Sequence, residues 1–139
     1  MLQEFGRIAG RGLEFEQGLQ PLCVREEVGV IPYYSLAAGF LTGKYRSYKD
    51  LGKSPRGKGA AGRYFESGSA VLSALDSVAE RLKANPTQVA IAWLNSRSSI
   101  AAPLASATSV EQLEDIIAGA RLVLDAESLA QLERASKGL

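Results

Sequence analysis

Apolar positions along the chain follow two spacings, one helical and one extended. Residues 13 to 26 set Leu13, Leu19, Leu22 and Cys23 among Glu and Gln at the intervals of an amphipathic helix that tolerates Pro21 and stops at Gly29. Residues 28 to 34, VGVIPYY, are β-branched and aromatic, the composition of a short buried strand, and lead into a turn of Ser, Ala and Gly. Further on, Val71, Leu75, Val78 and Leu82 recur at helical spacing. Asn85-Pro86-Thr87-Gln88 offers an N-cap, a proline at the first helical position and a glutamine at N3, so another helix starts there and carries Val89, Ala92 and a core Trp93. Residues 99 to 106, SIAAPLAS, read as a second buried strand with Pro103 near its end. Ser109-Val110-Glu111-Gln112 is a second capping box, opening a helix with Leu113, Ile116, Ile117 and Ala120 on one face. Asp125 caps a last helix through Leu129 and Leu132.

The order is helix, strand, long loop, helices, strand, helix, helix. Strands separated by helices pair in parallel through right-handed crossovers, which predicts an α/β protein. Two or three such strands make no comfortable sheet alone. A closed (β/α)8 barrel takes roughly 250 residues, so a chain of 139 residues holds only part of one.

The loop is where charge changes the picture. Residues 40 to 65 carry seven basic side chains (Lys44, Arg46, Lys49, Lys53, Arg56, Lys58, Arg63) against Asp50, although the whole chain has a net charge of only +1. Five glycines among residues 43 to 62 argue against a regular helix or strand, so the segment reads as a long surface loop, either functional or disordered. Global charge therefore steers nothing toward nucleic acid or membrane, and any basic surface is local.

Composition removes several chemistries. The chain has no histidine, which excludes Ser-His and Cys-His nucleophile pairs and every His-containing metal site within it. Its single cysteine, Cys23, forms no internal disulfide and reads as a small core hydrophobe. With neither a signal peptide nor an apolar run approaching the ~18 residues of a membrane span, a cytoplasmic location is expected.

Ligands of α/β folds sit at the C-terminal ends of strands, and both predicted strand ends suit a phosphate. One is Tyr33-Tyr34-Ser35-Leu36-Ala37-Ala38-Gly39 with the basic loop behind it; the other is Ser106-Ala107-Thr108-Ser109 at a helix start, where free N–H groups favour an anion. Taken alone, the first is equally a solvated basic face and the second a plain N-cap.

Three stretches carry a resemblance that decides between these readings. VIPYYSLAAGFLTGKYR is similar to the segment that ends the seventh barrel strand of aldo-keto reductases, and IAAPLASATSVEQLEDIIAGARLVLDAESLAQLERAS to that family's eighth strand, following helix and C-terminal helix. GLEFEQGLQPLCVREEVGV resembles the preceding helix, so the likeness covers roughly residues 12 to 137. It implies that residues 1 to 139 form the C-terminal portion of a (β/α)8 TIM barrel with a C-terminal helix, in one unit that includes the glycine-rich basic loop at 40 to 65.

The family reduces aldehydes and ketones by hydride transfer from NADPH, with a tyrosine as acid tuned by lysine, aspartate and histidine from the first half of the barrel. No part of this chain resembles that half, so no residue here is assigned a catalytic role, and the chain is expected to be truncated and inactive alone. Cofactor binding carries over position by position. Tyr33 matches the tyrosine that stacks on the nicotinamide; Tyr34, Leu36, Gly39 and Leu41 match positions along the pyrophosphate, with Tyr34 acting through its backbone N–H. Lys44 and, from the loop, Arg56 would neutralise phosphate. Ser106 matches a position that is often glycine, Thr108 and Gln112 match contacts to the adenosine 2′-phosphate, and Asp115 an acid near the adenine, where Ile116 replaces a usual asparagine. Gln3 matches a glutamine that holds the nicotinamide carboxamide.

Three functions remain open. The chain is the NADP(H)-binding part of a carbonyl reductase, either truncated or paired with another chain that carries the first half. Alternatively it is a degenerate, non-catalytic protein that binds nucleotide, a partner or itself through the open edge of a partial barrel. A nucleic-acid module would use the basic loop, with Tyr45, Tyr48, Tyr64 and Phe65 stacking on bases; the resemblance disfavours it, because it already explains a basic loop at a phosphate site.

Overall fold

The computed structural model of the chain describes residues 15–55, 57–61 and 64–137. A wide π turn at Phe15–Leu19 runs into α1, Gln20–Arg25, and four longer helices follow: α2, Phe65–Leu82; α3, Pro86–Asn95; α4, Val110–Arg121; and α5, Ala126–Lys137. None of these is long and apolar enough to cross a membrane.

The two predicted strands meet as expected in direction but not in extent. Val30 N–H donates to Ser99 O at 2.8 Å and Ala101 N–H to Val30 O at 2.9 Å, which makes Val30 and Ile100 a single parallel bridge. Among the described residues there is no strand, so the expected pair of barrel strands is corrected to this one bridge. The reason lies in the sequence. A parallel ladder centred on Val30 draws its next two N–H donors from residues 32 and 103, and both are proline. On the other side Val28 N–H is taken by Cys23 O at 2.8 Å, closing α1. One residue beyond Pro103, Leu104 N–H reaches Pro32 O at 3.0 Å, so the segments stay side by side after the ladder stops.

The core sits between α2, α3 and α5. Six consecutive residues of α3, Val89 through Leu94, are buried, so this helix is enclosed on every side, and Trp93 lies in the core as its surroundings suggested. Its start follows the pattern read from sequence: Gln88 N–H donates to Asn85 Oδ1 at 3.0 Å, and Asn85 N–H to Gln88 Oε1 at 3.3 Å. Val71, Leu75 and Val78 of α2 and Leu132 of α5 fill the space beside it. Arg81 ties α2 to α5 through Ser128 Oγ at 2.8 Å, and Arg97 reaches Glu133 at 2.7 Å.

Two expectations are corrected by packing. The described residues between 40 and 65 are folded rather than a plain surface loop: 3-10 turns form at Ala37–Thr42 and Tyr48–Lys53, and a π turn at Gly57–Ala61. Phe40, Leu41, Tyr45, Leu51 and Tyr64 are buried, because five large apolar side chains gain more from the core than a solvated loop would return. The second correction concerns α4. Leu113 and Ile117, two of the four residues expected on its one apolar face, are exposed. The helix instead docks through Gly119, where an added Cβ would stand 2.9 Å from Gln88 Cα, so the missing side chain permits an approach that the apolar stripe does not.

Candidate cofactor site at the end of the paired segments

Because the bridge is parallel, both segments that follow it leave the molecule at the same end. The first makes a tight turn. Tyr34, Ala37 and Ala38 have φ of 68°, 53° and 56°, and Gly39 has φ of 87°, so four of six residues sit in the left-handed region that side chains other than glycine disfavour. Such a concentration of strain is held in place by its surroundings. Ser35, buried, donates from its hydroxyl to Pro32 O at 3.1 Å; Ala37 N–H donates to Tyr34 O and Gly39 N–H to Leu36 O, each at 2.9 Å. Thr42 closes the turn by donating to Gly39 O at 2.8 Å.

This turn sets the side chains of the first predicted half-site. The Tyr33 ring is 64% exposed, with the Tyr34 ring edge-on to it at 6.2 Å between centroids, so a flat face is open to a ligand. Leu36 is partly buried, and Leu41 lies in the core, which leaves only the backbone of Leu41 to face a phosphate. The Lys44 side chain folds back over Gly39: a Cβ at Gly39 would meet Lys44 Cε at 2.6 Å and Nζ at 2.8 Å. Glycine is favoured here by its φ, and its missing side chain leaves the space in which the lysine lies across the turn. The ammonium sits 4.9 Å from the centroid of the buried Tyr45 ring, whose hydroxyl pairs with Ser54 Oγ.

The basic charge of the neighbouring loop is partly consumed within the protein. Arg46 pairs with Asp76, and Lys53 Nζ lies 2.7 Å from Asp50. Asp50 also accepts from the N–H groups of Arg46 at 2.9 Å and Ser47 at 2.8 Å. Lys53 first, and then these amides, hold its carboxyl well below the usual carboxylate range. Lys44 stands outside these carboxylate pairs and is exposed.

At the second half-site Ser106, Thr108 and Gln112 are exposed together at the start of α4. Ser109 caps the helix by accepting from Gln112 N–H at 3.3 Å, but the reciprocal half of the expected capping box is missing. The Gln112 side chain turns instead to Thr108, accepting from its N–H at 3.0 Å and from its hydroxyl at 3.1 Å. The pair matched to the 2′-phosphate is therefore joined before any ligand arrives. Glu111, missed as a neighbour of this site, has its carboxyl held below the usual value by the Ser109 hydroxyl. Asp115 faces α3, its Oδ1 accepting from Asn85 Nδ2 at 2.6 Å and Gln88 Nε2 at 2.8 Å. Gln3 and Arg56 lie outside the described residues.

At the opposite end of the paired segments a hollow of about 270 Å³ is lined by Cys23, Glu27, Ser99 and Ala101, with the buried Ser99 hydroxyl unpartnered. Among the described residues no cluster of His, Cys, Asp and Glu is arranged to hold a metal ion. Of the four rings proposed to stack on bases, Tyr45 and Tyr64 are in the core, and Tyr48 stacks on Phe65 at 5.0 Å.

Among the described residues the fold is thus helices around one parallel bridge, with Tyr33, Lys44, Thr108 and Gln112 exposed on the segments that follow it. Residues 13–137 match the model of the aldo/keto reductase family, so the chain belongs to that family. It is 36% identical over 126 residues to a protein of Mycobacterium tuberculosis (strain H37Rv) named as an uncharacterized oxidoreductase, covering 87% of this chain and 38% of that one. A like-named protein of Mycobacterium bovis is equally similar. Protein tas of Escherichia coli (strain K12) is 31% identical over 125 residues, covering 86% of this chain and 35% of tas. The chain thus spans less than two-fifths of the length of these relatives.

Proposed function

We propose that the chain is the nicotinamide-dinucleotide-binding part of an oxidoreductase that interconverts carbonyls and alcohols, with NADP(H) as the cofactor. The observation that carries the reading is the common exit of the two half-sites: Tyr33, Gly39 and Lys44 follow one paired segment, and Ser106, Thr108 and Gln112 follow the other, at the same end of the bridge. A dinucleotide is long and carries charge at its middle, so a ring platform, a cation over a glycine and a helix start at one end match its parts in kind.

The bound cofactor supplies hydride. What these residues do is hold and orient. The open face of Tyr33 presents a plane against which a flat ring registers. Lys44 neutralises phosphate charge beside a backbone that Gly39 leaves uncovered. Thr108 and Gln112, with Ser106 beside them, offer hydroxyl and amide groups to the adenosine end, and Asp115, engaged with α3, holds the orientation of α4 rather than reaching a base. The backbone N–H of Tyr34 and the main chain at Leu36 and Leu41 complete the pyrophosphate turn. In this reading the acid tyrosine and its histidine partner come from outside the chain, which has no histidine. Without proton delivery, hydride transfer would leave an alkoxide, so no turnover is expected from the chain alone.

Titration calorimetry with NADPH and NADH tests this. Saturable binding weakened about tenfold or more by Tyr33→Ala, which removes a stacking plane, and also weakened by Thr108→Ala, is the expected result. A folded chain that binds neither nucleotide would remove the reading.

A second reading, a non-catalytic protein that associates through uncovered surface, is favoured by one observation. Leu22, Val24, Ile31, Leu104, Leu113 and Ile117 are exposed large hydrophobics on α1, the paired segments and α4.

A further inference from the structure

We propose that Arg46 and Asp76 form a clamp that positions the turn at residues 36 to 44, and with it Lys44, for an anionic ligand. The inference rests on the cofactor reading above only for the identity of that ligand.

All three guanidinium nitrogens of Arg46 are engaged. Nη1 donates to Asp76 Oδ2 at 2.6 Å, Nη2 to Asp76 Oδ1 at 2.7 Å, and Nε to Gly43 O at 2.6 Å. A planar fork with a carboxylate on one edge and a backbone carbonyl on the other fixes direction as well as distance, which a lysine does not. Asp76 sits on the outer face of α2, its side chain 45% exposed, but the helix itself is fixed to the core through the neighbouring Leu75 and Val78, so one end of the clamp is held by a packed helix. The other end is Gly43, whose φ of 76° ends the turn and whose missing side chain leaves room for the Arg46 guanidinium.

Lys44 follows directly. Its backbone oxygen accepts from Lys53 Nζ at 3.3 Å while its side chain lies across Gly39, so its position depends on where Gly43 is held. The Arg46 charge is already matched by Asp76, which makes Arg46 a positioning residue and leaves Lys44 as the cation offered to phosphate.

The test uses the whole chain, wild type and carrying Arg46→Gln, Arg46→Lys or Asp76→Asn, with two readouts: amide hydrogen exchange of residues 39 to 44 against α3 as internal control, and titration with NADPH. All three variants are expected to speed exchange in the turn while leaving α3 unchanged, and to weaken NADPH binding about three- to tenfold. Lys44→Ala is expected to cost little more in the Arg46→Gln background, whereas Thr108→Ala keeps its full effect there. A direct phosphate contact by Arg46 predicts the opposite: tighter binding in Asp76→Asn and rescue by Arg46→Lys. That result overturns the clamp, as does unchanged exchange in the turn. Faster exchange in the variants of a chain that binds neither NADPH nor NADH supports the clamp and overturns the cofactor assignment.

Discussion

At Glu111 the chain sets a carboxylate in the first turn of α4, beside Thr108 and Gln112. An acid there gains from the helix dipole and from the Ser109 hydroxyl, but it opposes a second anion at the same place. Glu111→Gln is therefore expected to tighten NADPH binding about two- to fivefold while leaving NADH almost unchanged, as read by parallel titrations. The motif Ser109-Val110-Glu111-Gln112 was legible as a helix start. That Gln112 would accept from Thr108 rather than from the Ser109 N–H was not, because both donors lie within reach of one flexible side chain. Lys44 shows the same division: its charge is plain in the sequence, but its folding over Gly39 depends on a turn whose left-handed residues include two alanines, which no propensity would place there.

At the scale of elements, α3 and α4 are joined by a glycine and by a carboxylate shared between Asn85 and Gln88. Because a Cβ at Gly119 would stand 2.9 Å from the Gln88 backbone, closer than side chains tolerate, Gly119→Ala is expected to destabilise the protein by about 1–3 kcal/mol, measurable as a lower midpoint of thermal unfolding. The 3-10 turn at Tyr48–Lys53 depends on a charge. Asp50 caps it, and its carboxyl lies below its unfolded value through Lys53 and the amides of Arg46 and Ser47. A depressed carboxylate contributes stability that is complete above the unfolded value, near ~4, and is lost as pH falls from there toward the folded value. Exchange of the 47 to 53 amides is accordingly expected to stay slow down to about pH 4 and to quicken below it, and Asp50→Asn is expected to quicken it at neutral pH. The capping signals of these elements were readable because they act within four residues. The orientation of α4 was not, since a stripe of Leu113, Ile116, Ile117 and Ala120 marks an apolar face without saying what covers it.

For the whole molecule the balance of covered and uncovered surface is the main feature. One core, built by α2, α3, α5 and the folded basic segment, is enclosed, while α1, the paired segments and one face of α4 present apolar side chains outward. Val28, Ile31 and Tyr33 on one side of the bridge and Leu104 on the other belong to this surface. The chain is expected to associate, giving a mass above 14.8 kDa by light scattering, and to bind an environment-sensitive apolar dye. Val110→Lys with Leu113→Glu is expected to reduce both without lowering the unfolding midpoint. A monomer with no dye binding would mean that this surface is covered within the chain.

The sequence by itself determined the order of the main helices, their starts at Asn85, Ser109 and Asp125, the parallel sense of the paired segments and the family. Those features depend on local hydrogen bonds and on patterns a few residues long. Only the tertiary structure decided on the register that puts Pro32 and Pro103 at successive donor positions and ends the ladder at one bridge, that the basic segment would bury Tyr45 and Tyr64, and that Arg46 would pair with Asp76, thirty residues away. Each of these depends on which distant groups meet, and a proline, a tyrosine or an arginine reads the same in sequence whether or not its partner is there.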